Sequence, residues 1–221
     1  MKLIYGDVGH VFCFRGGYVN ELVVENRGLF LQMVNDLSMQ ADGARGGFLL
    51  SLSDKPVEFS KYADVTVQLA PFQVNRKGLL TKLYAMLEQK ALQAEHYLKT
   101  RELLGEIERF LLSLSEELPF GVSSQKLSVG AILKAIAPEI EVGEQSALER
   151  IFTYMGLVRE LDRDRLFVMV NMRTYFSDDD MACFVESACL HDFKVLLLES
   201  VAFPKLKNTQ RYTVDADLCE F

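Results

Sequence analysis

The chain has 221 residues, 49% of them apolar, enough to bury a core as one large domain or two small ones without staples. A formal charge of −7 excludes a uniformly basic nucleic-acid coat and leaves room only for a local basic lining. Four cysteines with no C-x-x-C pair and three histidines outside zinc-finger spacing exclude a zinc-finger scaffold and fit a reduced, cytoplasmic compartment.

In chain order, "MKLIYGDVGHVFCF" carries one lysine, then Asp7 and His10 inside the apolar stretch, and no small-residue cleavage site, so it reads as mature sequence. His10 and Cys13 lie three residues apart, which on an alternating strand points them to opposite faces, and they are expected to be an ordinary histidine and a buried thiol. From Lys2 to about Asn75 the short apolar runs "LIY", "HVFCF", "ELVVE", "GGFLLSLS" and "DVTVQLA" read as strands. Among them "GLFLQMVNDLSMQ" repeats its apolar residues (Leu29, Phe30, Met33, Val34, Leu37) at threes and fours, the signature of a helix lying on a sheet.

From Arg76 to about Arg163 the period is helical. Leu79, Leu80, Leu83, Met86, Leu87, Ala91, Ala94 and Leu98 form one stripe, and "EIERFLLSLSEEL" continues it to the break at Pro119 and Gly121. A helix from Arg76 to Leu104 would be about 40 Å long at 1.5 Å per residue, so it is expected to project. "KLSVGAILKAIA", stopped by Pro138, and "EQSALERIFTYMGLV" supply two further amphipathic helices that could cover the stripe and complete a bundle. From Leu161 onward strands return in "RLFVMVN", "KVLLLES" and "QRYTVDADLCEF", with the helix "SDDDMACFVESACLHD" capped by Ser177 and Asp180. Strands apolar on both faces and joined through a helix belong in a largely parallel sheet. The expected fold is α/β: a head from residues 1–75 and 160–221, with a helical leg of residues 76–159 inserted. No apolar run approaches the roughly 20 residues that span a bilayer, so no membrane partner is expected.

Catalytic patterns are sparse. There is no Gly-Lys pair, hence no G-x-x-x-x-G-K-[ST] loop to wrap phosphates, and "FRGGYV" and "GARGGF" both lead into strands, so no nucleotide is expected and Glu199 has no loop to serve. No serine sits in G-x-S-x-G. Asp180, Asp192 and Lys194 have the order of a metal-dependent nuclease core, although a helix cap and a turn are poor settings for two metal-binding carboxylates. That nuclease, and a helical protein-interaction module without DNA contact, stand as alternatives. Arg76, Lys77, Lys82, Lys126, Lys134, Arg159, Arg163 and Arg165 lie in or beside the helical part; a symmetric ring would gather such cations around one hole.

Four stretches, "FRGGYVNELVVEN", "PFQVNRKGLLTKLYAMLE", "RLFVMVNMRTYFSDDDM" and "KVLLLES", follow the order and spacing of the small CRISPR adaptation protein of type II-A systems, which the chain resembles nearly end to end. The matching marks are Arg15 to Gly17, Val74 and Asn75, Val170 and Asn171, and Leu198 and Glu199. The resemblance implies a head like a degenerate P-loop nucleotide-hydrolase fold and a homotetrameric ring without catalytic activity. That ring would take linear double-stranded DNA by its ends, independent of sequence, alongside the CRISPR integrase and the RNA-guided nuclease. Lys77, Lys82, Lys126, Lys134, Arg159 and Arg163 are the expected DNA contacts. It also implies calcium held by acids of the leg. Here Glu116 and Glu117 are the placed pair, while Gly130 and Ala131 stand where more acids are expected, and one pair falls short of six to eight oxygens unless carbonyls and waters complete the set. A weaker calcium site, or none, is the expectation.

Overall fold

The computed structural model describes residues 1–6, 8–116, 118–121, 127–162 and 164–221. The first strands alternate as their sequences do. β1 (Lys2–Tyr5), β2 (Val8–Cys13), β4 (Phe48–Leu52) and the short β5 (Lys55–Pro56) form an antiparallel sheet in the order β2-β1-β4-β5. Leu3, Tyr5, Phe12, Phe48 and Leu50 face inward, whereas Ile4, Val11 and Leu49, paired in one row across the sheet, are exposed. One face of this sheet is therefore core and the other is not.

β3 (Val19–Val24), β6 (Ala63–Thr66), β7 (Leu166–Val170), β8 (Lys194–Glu199) and β9 (Thr209–Val214) form a second sheet, parallel throughout, in the order β6-β7-β8-β3-β9. β3 and β7 are buried at every position, as expected of strands covered on both faces. α1 (Arg27–Ala41) buries Leu29, Met33 and Leu37. These join the inner residues of the antiparallel sheet and Leu22, Val168, Leu196 and Leu198 in one apolar cluster. α2 (Phe59–Tyr62) is a single turn before β6. α7 (Asp178–Leu190) links β7 to β8 as the βαβ crossover read from the sequence, and Ser177 and Asp180 make the expected reciprocal cap.

The helical period resolves differently from the expectation. The long stripe is two helices, α3 (Lys77–Ala91) and α4 (Ala94–Ser115), and no single helix runs from Arg76 to Leu104. Gln93 is the N-cap of α4, and the Ala91 carbonyl released at the break accepts a bond from the Thr100 hydroxyl at 2.9 Å. A hydroxyl nearly two turns into the next helix thus satisfies the interruption, a contact that periodicity does not carry. α5 (Val129–Ile136) ends at Ala137 in the left-handed region, φ 50°, immediately before Pro138. α6 (Ala147–Leu161) starts in a second full capping box, Ser146 with Glu149.

The chain forms two compact units: Met1–Phe72 with Glu144–Phe221, and Gln73–Gly143. α6 falls in the first, whereas the boundary at residue 159 would have placed it with α3, α4 and α5. It buries Ile151, Tyr154, Met155 and Val158 there, Phe152 meets the Phe184 ring of α7 at 5.0 Å, and Tyr154 bonds Asp64 of β6. In the second unit α3 packs on α5 and meets α4, and α4 buries none of its residues.

Candidate functional site

In a parallel sheet the carboxyl ends of the strands are where ligands are usually taken. Here β7 is followed at once by Asn171, whose φ of 52° lies in the left-handed region that asparagine tolerates. Its N–H donates to the Leu198 carbonyl at 2.8 Å, and its Oδ1 accepts from the Ser200 N–H at 2.9 Å. Asn171 clips the two strand ends together.

Glu199, the last residue of β8, is 0% exposed. Register places it on the same sheet face as Glu21, since Leu197 pairs with Glu21 and Glu199 with Val23. Glu21, also 0% exposed, is held by Arg173 Nη1 at 3.0 Å and Arg211 Nε at 2.7 Å, while Arg173 Nη2 reaches Asp178 of α7 at 2.7 Å. Two guanidinium groups thus answer two carboxylates, as buried charges require, and Glu199 is the odd acid. One of its oxygens accepts the Arg173 N–H at 3.1 Å and the other has no partner among the described residues. Burial, with Glu21 nearby, pushes its pKa up to about 7 against the pull of the Arg173 N–H. A carboxyl sealed this completely presents nothing to solvent in this structure. The sequence reading missed this network, although a glutamate inside the apolar run "ELVVE" signals a buried charge that needs partners.

The nuclease constellation does not assemble. Asp180 caps the start of α7 and Asp192 follows its end at φ 53°, so the helix holds them about 18 Å apart at 1.5 Å per residue. Lys194 is paired to Asp164 at 2.6 Å. At the end of β3 only Glu25 and Asn26 precede α1, and the Asn26 Oδ1 already takes the Leu29 N–H at 3.0 Å. That junction has no loop to wrap a phosphate.

The expected DNA contacts divide between the two units. Lys77 opens α3 and is exposed, Lys82 follows on the same helix, and Lys134 lies exposed in the last turn of α5. Gly130 sits against the Glu88 carboxylate, where an added Cβ would lie 3.2 Å away. At the other end, Asn75 bonds both the N–H (2.9 Å) and the carbonyl (3.1 Å) of Ile140. α5 therefore runs antiparallel to α3, with Lys134 within about one 5.4 Å turn of Lys82 along the axis. Arg159, by contrast, is engaged in the first unit: its guanidinium stacks on Phe193 at 4.8 Å and donates to the His191 carbonyl. It ties α6 to the end of α7, as long basic side chains do when their stems have apolar surface to cover. Lys126 and Arg163 lie outside the described residues.

Glu116, the exposed C-cap of α4, is the only described member of the calcium pair, Glu117 lying outside the described residues. Among the described residues no group of three or more His, Cys, Asp or Glu is placed to hold a metal ion. His10 stacks on Tyr212 at 4.2 Å. No helix among the described residues is long and apolar enough to cross a membrane.

Acidic residues are absent from three stretches that carry cations: residues 65–87, with Arg76, Lys77 and Lys82; residues 118–138, with Lys126 and Lys134; and residues 200–214, with Lys205, Lys207 and Arg211. In a chain with 31 acidic residues these runs segregate cations along the sequence, although Glu88 lies against Gly130 of the second run and Arg211 of the third is paired to Glu21. The third stretch lies outside the helical part, and its lysines were not among the expected contacts.

A family model described as CRISPR-associated protein (Cas_Csn2) matches residues 40–218. A curated protein of Enterococcus faecalis, "CRISPR-associated protein Csn2", is 24% identical over 163 residues, covering 73% of this chain and 71% of its own length.

Proposed function

This chain belongs to the CRISPR-associated Cas_Csn2 family, and from that premise we propose that it binds the ends of linear double-stranded DNA without reading sequence. It does so as a homotetrameric ring, during spacer acquisition, beside the CRISPR integrase and the RNA-guided nuclease. The observation that carries the reading is the family match across most of the chain, joined to the segregation of cations into acid-free stretches, two of which supply Lys77, Lys82 and Lys134. Phosphates along duplex DNA attract such cations regardless of base sequence, and several copies around one duplex would multiply the contacts. The ring performs no chemistry in this reading. Of the acids considered for chemistry, Glu199 is sealed and Asp180 and Asp192 are held apart.

The test is the mass in solution with and without a short linear duplex, followed by gel shift with open and end-blocked DNA. The parent is expected to run as a multimer and to retain open duplex more strongly than end-blocked duplex, with affinity falling steeply as salt rises. The triple charge reversal K77E/K82E/K134E is expected to weaken retention without changing the far-UV signal. Equal retention by that variant removes these lysines from the contact set, and a parent that ignores duplex ends at low salt removes the function itself.

A further inference from the structure

β8 and β9 are both parallel to β3, which lies between them. The chain leaving β8 must therefore return the full length of the sheet before β9 begins. Such crossovers normally take a dozen or more residues and a helix. Here residues 200–208 do it with no helix at all. Nine residues reach about 30 Å when extended, against about 20 Å for the strand they retrace, so the connection is a short strap with limited slack.

The strap is fastened at four points. The Phe203 ring lies on the Arg173 guanidinium at 4.9 Å, and the Pro204 carbonyl accepts from Arg211 Nη2 at 3.4 Å. The Leu206 carbonyl accepts from the Thr209 hydroxyl at 2.7 Å, and the Asn208 carbonyl accepts from the Val19 N–H at 2.9 Å. Two of the four fastenings are the arginines that hold Glu21, so the buried charge network is also the mount of the strap. Lys205 and Lys207 alternate with the fastened residues. Both are exposed, and neither makes an ion pair among the described residues. No acid occurs between Ser200 and Val214.

We propose that Lys205 and Lys207 are a rigidly mounted pair of DNA-phosphate contacts in the first unit, additional to the lysines of α3 and α5; the inference rests on the DNA-binding reading above. Two cations two residues apart on a tethered backbone lose little loop freedom when they meet a polyanion. They carry no base-reading geometry, so their contribution is sequence-independent. An acidic protein partner at the same pair is the competing occupant.

The experiment is fluorescence anisotropy of the full chain on a short labelled duplex across a salt series. K205A/K207A is expected to bind more weakly than the parent at low salt. Its plot of log affinity against log salt should be shallower by about 1.8 or more, at about 0.9 for each phosphate contact removed. K205R/K207R should restore the slope. K61A, which removes an exposed lysine already paired with Glu58 at 2.6 Å, should leave it unchanged. A K205A/K207A slope equal to the parent's overturns the inference while leaving the DNA reading intact. An equal loss in K61A overturns it too, by showing a general charge effect. A parent that fails to bind overturns both.

Discussion

Glu199 sits at the carboxyl end of a parallel strand, the usual place for a functional acid, yet its carboxyl is sealed from solvent. Its fully buried carboxyl lacks a dedicated cation, and its pKa rises from the ordinary 4.5 to about 7. The folded state therefore binds a proton that the unfolded chain has released between these two values. The sign follows from linkage: the stability that Glu199 leaves to the fold is fully present below pH 4.5 and is lost as pH rises through about 7. The whole swing is about 3 kcal/mol, at about 1.4 kcal/mol per pKa unit. Glu199→Gln cannot ionise, so its stability relative to the parent, measured by urea unfolding, should be flat below pH 4.5, climb across the window and level off above pH 7. A difference that stays constant from pH 4 to pH 8 sinks this account of Glu199. The neighbouring Asn171 also proves structural, its side chain and left-handed backbone being used to join β7 to β8.

At the scale of elements, α7 sets the distance between Asp180 and Asp192 and brings Asp178 to Arg173, so its first turn matters beyond its own helix. The Ser177 hydroxyl accepts the Asp180 N–H at 3.1 Å and donates to its carboxylate at 2.7 Å. Ser177→Ala is expected to cost about 1 kcal/mol, the usual value of an N-cap. The same change at Ser146, which caps α6, should cost a similar amount, and because the caps share no partner the double variant should show the sum by thermal or urea unfolding. A double variant no less stable than either single one would mean that the two helix starts are coupled. The cap of α7 was legible in the sequence because Ser-x-x-Asp is a local pattern, and the parallel strands were legible because both of their faces are apolar. What was not legible depends on contacts between distant residues. The break between α3 and α4 hangs on the Thr100 hydroxyl, and α6 joins the first unit through Phe152 and Tyr154. Arg159 reads as a free cation until Phe193 and the His191 carbonyl are seen beneath it. Of the expected contacts, Lys77, Lys82 and Lys134 fall together in one unit because α5 runs back along α3, a pairing that the spacing of lysines along the chain does not reveal.

For the whole molecule, the unresolved energy lies in α4. All 22 of its residues escape burial, and Leu103, Ile107, Phe110, Leu111 and Leu114, at helical spacing, form an exposed apolar stripe. Each such side chain contributes about 1.5–3 kcal/mol when fully buried. A monomer therefore leaves these five apolar side chains 39–65% exposed along one face. In the ring reading a second copy covers it, and the cations of α3 and α5 are gathered only as a consequence. Assembly and phosphate contact then become separable by mutation. F110E/L114E places two charges in the stripe and should return the particle toward the 25.1 kDa of one chain, with DNA retention falling alongside. K77E/K82E/K134E should keep the parent's mass and lose retention alone. Light scattering and gel shift on the same samples distinguish the two. If F110E/L114E keeps both the parent's mass and its grip on duplex ends, the stripe is not the seam, and the copies must meet through another surface.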